Sequence, residues 1–298
     1  MQRQATKPYD FNKLELERQM KEEVIILIRK AIIPAAGYGI RNLPITKAIP
    51  KELFPIGNRP AIDYVVKEAI DAGITDILII LSRNKTEIMN YFDRSVELES
   101  HLYATNKDSL LHKILPSEAN IQYIRQYDAL GLGHAVLHGQ SFAAGEPFAV
   151  LLPDQLSLNR TSLLNPLIQN YEKYKTNIIG LQTVAPELLS QYGVASAKQL
   201  YSRVYEVDSI VEKPAHHPPS QLAVMGRYIL EPGIFELLRK TRPGIGGEIQ
   251  LTDALNQMGQ TRKSIGYVYK ERWYDTSIEH DYLKIQQRVY QMNKYNKL

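Results

Sequence analysis

A chain of 298 residues, 44% hydrophobic and 23% charged, has the composition of an ordinary globular protein and is long enough to bury a sizeable core. It contains no cysteine, which excludes disulfides, thiolate metal sites and cysteine nucleophiles and fits a reducing cytoplasm. A net charge of +4, from 36 basic against 32 acidic residues without a long basic stripe, argues for a small anionic substrate and against nucleic acid. The first stretch, MQRQATKPYDFNKLELERQMKEE, mixes acids with bases and has no apolar signal core, so residues 1–28 read as an extension and not as a targeting peptide. The apolar run Val24 to Ile33 is broken by Arg29 and Lys30 and is too short to cross a bilayer, so no membrane partner is expected.

Ala31, Ile32 and Ile33 predict a short buried strand that runs directly into a loop of small residues, Pro34 to Gly39. Gly37 and Gly39 let backbone N–H groups approach a ligand closely, and Arg41 and Lys51 add two cations just beyond. Backbone donors with nearby cations suit a polyphosphate, whose charge must be met by many donors at short range. The common nucleotide loops do not fit: Asn42 stands where a dinucleotide fingerprint needs its third glycine, and no GxxxxGK[ST] occurs. Gly37 and Gly39 alone would equally suit an ordinary strand-to-helix turn; Arg41, Lys51 and Glu52 tip the reading toward a ligand.

Further along, helix-like Ala61 to Ala72, strand-like DILIILS, helix-like Lys85 to Phe92, and the strands IQYIRQ and PFAVLLPD follow in alternation. That order predicts an α/β fold with a parallel sheet covered on both faces. Ligands of such sheets lie at the carboxyl ends of the strands, where Gly37, Gln126 and Asp154 fall. Gly131 to Ala135, GLGHA, is a second glycine turn opening a helical stretch. His134 and His138 share a helical face, and packing or hydrogen bonding is expected there in preference to a metal. TNIIGLQTV, SIVEKP and AVMGRYIL predict more strands, and Ile278 to Tyr290 has helical spacing. With no Gly/Ser linker or repeat, residues 29–298 read as one continuous domain with a carboxyl-terminal excursion.

Asp154 and Asp275 both emerge at strand ends, and two such carboxylates beside phosphates suffice for Mg²⁺, which keeps water and phosphate as its other ligands. A lone Asp at such a place also serves as a turn cap. Lys213 ends the SIVEKP strand beside Glu212, an acid and a base suited to a sugar hydroxyl and its phosphate, although a lysine is by default solvated. Tyr192 and Gly193 add a close-approach point for a sugar.

These motifs in this order resemble the bacterial UTP–glucose-1-phosphate uridylyltransferases, within the sugar-phosphate nucleotidylyltransferases. The matching text includes AIIPAAGYGIR, LPITKAIPKELFPI, LGLGHAVL, EPFAVLLPD, VEKP, QLAVMGRYIL, GIGGEIQLTDAL and YDTS, and it covers roughly Lys30 to Ile285. The resemblance implies a Rossmann-like, mostly parallel mixed sheet flanked by helices with a small sugar-binding excursion, and Mg²⁺-dependent transfer of UMP from UTP to α-D-glucose 1-phosphate. Carried over by position, Ala35, Ala36 and Gly37 would line the uridine and ribose, with Gly39 in the same loop; Glu52, Gln126 and Gly131 would help hold the nucleotide. Arg41 and Lys51 would grip the triphosphate, Asp154 and Asp275 would hold the metal, and Gly193, Glu212 and Lys213 would bind glucose 1-phosphate. A homo-oligomer, dimer or tetramer, is the family expectation.

The chain departs from the family pattern twice. Ile40 replaces the usual Thr of G-x-G-T-R, and Ser277 replaces the Gly of D-x-G after the second metal aspartate. A side chain at 277 would crowd sugar or metal if the backbone needed positive φ there. These two positions motivate the alternatives of a catalytically weak UTP- or UDP-glucose-binding regulator, or of the same chemistry on another hexose 1-phosphate or dTTP.

Overall fold

The computed structural model describes residues 28–115, 117–159 and 161–295, so the extension read at 1–28 lies outside the described residues except for its last position. Among the described residues thirteen strands follow in chain order: β1 Lys30–Ala35, β2 Pro55–Ile56, β3 Arg59–Pro60, β4 Asp76–Leu81, β5 Asn120–Arg125, β6 Phe148–Leu151, β7 Gln155–Leu156, β8 Ile178–Thr183, β9 Gly193–Tyr201, β10 Val204–Glu212, β11 Leu222–Leu230, β12 Ser264–Val268 and β13 Tyr274–Asp275. Nine of them form one mixed sheet in the order β5-β4-β1-β6-β11-β8-β12-β10-β9. Parallel pairing gathers in β5-β4-β1-β6 and in β8-β12. The remaining neighbours are antiparallel, including the long β9-β10 pair. The expected α/β class, a mixed sheet flanked by helices, holds, but the sheet is not mostly parallel: four of its eight neighbouring pairs are antiparallel, because β9 and β10 are joined by a turn too short for a parallel crossover and β11 runs against both β6 and β8.

Side-chain alternation builds two cores. Ile33 of β1 packs with Ile77 and Ile79 on one face, and Ile32 packs with Leu78, Ile80 and Val150 on the other. Helices cover both faces, which is why these strands read as unbroken apolar runs. The helix Ala61–Asp71 buries Ala61, Ile62, Val65, Val66 and Ala69, the helical spacing of an inward stripe. Each fully buried Ile or Val side chain contributes about 1.5–3 kcal/mol relative to exposure. The carboxyl-terminal helix spans Glu279–Tyr295 and buries Ile285 and Val289. Among the described residues, no helix is long and apolar enough to cross a membrane.

One small feature positions the site. After β6 the chain leaves the main sheet and forms the short β7-β13 ladder, in which Gln155 faces Asp275 and Leu156 faces Tyr274. Thr276 locks this junction, its N–H donating to the Asp154 carbonyl at 2.8 Å and its hydroxyl donating to the same oxygen at 3.1 Å. Asp154 and Asp275, distant in sequence, thereby meet at the carboxyl end of β6.

Candidate active site

The loop after β1 is open above the glycines. A Cβ built at Gly37 would meet nothing within 4 Å, whereas Gly39, at φ 67°, would press a Cβ to 2.9 Å from the Thr46 methyl. Thr46 donates its hydroxyl to the Gly39 carbonyl at 2.9 Å and fixes the turn. The chain then winds through short 3₁₀ turns, Ile40–Asn42, Ile45–Lys47 and Lys51–Leu53. Ile40 sits on the cleft rim, 72% exposed.

Two cavities adjoin along this loop. One, of about 310 Å³, is lined by Ala36, Gly37, Gly39, Glu52, Gln126 and Gly131 among others. The second, of about 350 Å³, is lined by Arg41, Gly193, Glu212, Lys213, Asp275 and Ser277 among others. Gly39, Ile40, Lys51 and Asp154 belong to both walls, so the two are lobes of one cleft. Every sequence-predicted site residue lines one lobe or the other except Ala35. The alternation of β1 turns Ala35 to the face of Ile33, where it is buried in the core. Its contribution is its carbonyl, which accepts the Lys85 ammonium at 2.6 Å.

Lys85 was not legible as a site residue. It is buried and donates to both carboxylate oxygens of the equally buried Glu52, at 2.8 and 2.7 Å, so Glu52 lines the cavity with its charge already met. Burial pulls the Lys85 ammonium below its usual range, opposed by Glu52. With Ala35 at the end of β1 and Glu52 in the turn Lys51–Leu53, Lys85 ties together the two ends of the segment between them.

The shared wall carries an ion pair. Lys51 Nζ lies 2.5 Å from Asp154 Oδ2. Burial pulls the Lys51 ammonium down, but the negative charges of Asp154, Glu52 and Asp275 outweigh it and the net shift is upward. Burial likewise raises the Asp154 carboxyl, and Lys51 and Arg41 more than reverse it, leaving Asp154 ionised below the ordinary range. Asp275 goes the other way, raised by burial and by the Asp154 charge beside it. Ser277 donates its N–H at 2.9 Å, and its hydroxyl, to Asp275 Oδ1. Ser277 is not among the residues with positive φ, so the backbone there makes no demand for glycine. Lys51 occupies one oxygen of Asp154 and Ser277 one oxygen of Asp275, and each carboxylate keeps a second oxygen. Two hard oxygen donors with mutually repelling charges fit a divalent cation completed by phosphate and water. Among the described residues no group of three or more His, Asp or Glu side chains makes a complete protein cage.

The second lobe is built of side chains. Gly193, opening β9, would bring a Cβ to 3.3 Å from Glu212 Oε2, so its smallness keeps Glu212 in place. Thr252 donates to the same oxygen at 3.1 Å. Lys213 follows β10 at φ 42°, a strained left-handed turn, with its N–H held by the Tyr192 carbonyl at 3.0 Å. Its ammonium lies 3.6 Å from Glu212 Oε1 and is partly exposed. Gln191, Glu248 and Gln250 also line this lobe and were not singled out in the sequence.

The two glycine motifs are physically joined. Gly131, at φ 95°, lies against Glu248, and Gly133 N–H donates to the Ile249 carbonyl at 2.9 Å while Ile249 N–H donates to the Leu130 carbonyl at 2.7 Å. GLGHA and GGEIQLTDA therefore form one wall. Gln126 is aimed by His134, whose Nδ1 lies 2.8 Å from its amide nitrogen. His134 and His138 stack edge to face at 4.6 Å, the packing and hydrogen-bonding role expected of them.

The nucleotidyl transferase family model matches residues 30–292. A UTP–glucose-1-phosphate uridylyltransferase of Bacillus subtilis, YngB, is 50% identical over 234 residues, covering 78% of this chain and 79% of that protein. Apo UDP-glucose pyrophosphorylase superposes with a TM-score of 0.83 at 42% identity, covering 89% of this chain and 99% of that one. A UDP-glucose pyrophosphorylase solved in complex with UDP-glucose gives 0.79 at 41% identity, with the same coverage of both chains. The chain belongs to the nucleotidyl transferase family, among its UTP–glucose-1-phosphate uridylyltransferases.

Proposed function

We propose that this protein transfers UMP from UTP to α-D-glucose 1-phosphate, giving UDP-glucose and pyrophosphate. The observation that carries the reading is the two-lobed cleft whose lobes share Lys51 and Asp154. In this reading Ala36, Gly37, Gln126 and Gly131 hold the nucleoside against backbone and amide, and Gly193, Glu212 and Lys213 hold the sugar phosphate.

A phosphate oxygen of glucose 1-phosphate forms a bond to the α-phosphorus, and the bond from that phosphorus to the oxygen bridging the β-phosphate breaks, so pyrophosphate leaves with the electron pair. The attacking oxygen is already ionised and no general base is required. Catalysis then rests on alignment and on neutralising charge between two anions. Arg41 and Lys51 grip the triphosphate, and Lys213 holds the sugar phosphate in line. Asp154 and Asp275 would hold a divalent cation, Mg²⁺ in our reading, which when bound would supply positive charge to the phosphates.

Ile40 stands exposed on the rim, and Ser277 points its hydroxyl at Asp275, so neither departure from the family pattern fills the cleft. That favours the enzyme over a binding-only regulator. We read residues 29–298 as one nucleotidyltransferase domain acting as a cytoplasmic homo-oligomer, a dimer or tetramer; light scattering of the purified chain tests the assembly. The function itself is tested with UTP and Mg²⁺ against glucose, galactose and N-acetylglucosamine 1-phosphates, and with dTTP in place of UTP. UDP-glucose as the preferred product supports the reading, and binding of UTP without turnover on any sugar phosphate would return the regulator.

A further inference from the structure

Arg227 is fully buried and heads the largest side chains in the core, yet it lies outside the cleft. It sits on β11 directly across from Leu151, the last residue of β6, just before the segment that carries Asp154. All five of its N–H donors are used. Nε and one Nη2 hydrogen reach the two carboxylate oxygens of Glu68, at 2.9 and 2.8 Å. The other Nη2 hydrogen donates to the Gln155 carbonyl at 2.9 Å, and Nη1 donates to the Leu152 and Gly226 carbonyls at 3.1 and 3.0 Å. The two carbonyls that bracket Asp154 are thus held by one rigid planar group. The same guanidinium lies 5.0 Å from the ring of Trp273, two residues before Asp275. Gly226 N–H donates to Gln155 Oε1 at 2.5 Å and Leu152 N–H to the Gly226 carbonyl at 2.8 Å, so the bend has no slack on this side.

We infer that Arg227, braced by Glu68, is a positioning residue that fixes Asp154 relative to Asp275 from behind the cleft. Packing alone does not account for it, because burying a guanidinium is unfavourable unless every donor and its charge are satisfied, and here each satisfied donor but those to Glu68 ends on backbone of the Leu152–Gln155 bend or its neighbour Gly226. The fork geometry matters as well as the charge. A lysine offers three donors from a point ammonium and cannot hold a bidentate carboxylate and three separate carbonyls from one rigid fork. The inference rests on reading Asp154 and Asp275 as the metal pair.

The test measures Mn²⁺ binding to the full chain with UTP by electron paramagnetic resonance, for wild type, Arg227→Lys, Glu68→Gln and Asp154→Asn, beside far-UV circular dichroism. Partners behind metal ligands commonly change affinity by about ten- to a hundredfold. Arg227→Lys is expected to be folded, to weaken Mn²⁺ by about tenfold, and to regain kcat as the metal concentration rises, with KM for glucose 1-phosphate unchanged at saturating metal. Glu68→Gln is expected to weaken Mn²⁺ by a smaller factor, about threefold, and carries the test if Arg227→Lys does not fold. Wild-type Mn²⁺ affinity in the folded Arg227 or Glu68 variant, with the metal lost in Asp154→Asn, overturns the inference alone. Wild-type affinity in Asp154→Asn removes the metal pair and the inference with it.

Discussion

The two lobes of the cleft are made of different materials. The lobe we assign to the nucleotide is mostly backbone and small residues at the ends of parallel strands, Ala36 and Gly37 after β1 and Gln126 after β5, with the buried ion pair of Lys85 and Glu52 closed on itself. The lobe we assign to the sugar phosphate is made of side chains from antiparallel β9 and β10 and the segment near Thr252, with Glu212 and Lys213 still partly open to solvent. A backbone lobe recognises by shape and fixed donors and tolerates little added bulk. A side-chain lobe recognises by charge and hydrogen bonds that single substitutions can remove.

The largest effect is expected where the lobes meet. Asp154→Asn keeps the shape but removes the charge from both walls, and kcat should fall on the order of a hundredfold or more; steady-state pyrophosphate release measures it, and near-normal turnover would break the assignment of the shared wall. Lys213→Ala should raise KM for glucose 1-phosphate by about ten- to a hundredfold, the loss of a charged hydrogen bond, while KM for UTP stays within about twofold. Equal changes in both constants would take Lys213 out of the sugar lobe.

Two glycines sharpen the contrast. Gly37→Ala adds a methyl into open space, so the melting temperature should not move, but KM for UTP should rise by about tenfold, or ~1.4 kcal/mol, because in our reading UTP fills that space. Gly133→Ala would place its Cβ 2.7 Å from the Ile249 carbonyl and should cost stability, by about 1–3 kcal/mol in urea denaturation. The smallest effect is expected at Ile40→Thr, whose side chain stands exposed on the rim of the cleft, with kcat/KM changed by less than about threefold.

The same contrast explains what the sequence could show. Features that depend on backbone were legible: the apolar runs of β1, β4 and β6, the glycines after β1, and the polar residues at strand ends, because periodicity and small residues are local properties. The resemblance carried Ala35 into the lining by position, but the alternation of β1 turns its side chain to the face of Ile33, while Ala36 turns to the opposite face, where it lines the cleft. Lys85 and Arg227 were hidden for another reason. A lysine or arginine reads as solvated until its partner is known, and Glu52 and Glu68 arrive from other elements. β12 was missed too, its short SIGYV run interrupted by Gly266, which the structure uses to bring Leu181 and Val207 close.

The most direct test of the two-lobed cleft is a crystal structure of the protein with UDP-glucose and Mg²⁺. The account predicts uracil in the lobe of Ala36, Gly37 and Gln126, glucose against Gly193, Glu212 and Thr252, and the diphosphate between Lys51, Lys213 and the two aspartates. UDP-glucose bound in the reverse sense, or outside this cleft, would contradict it.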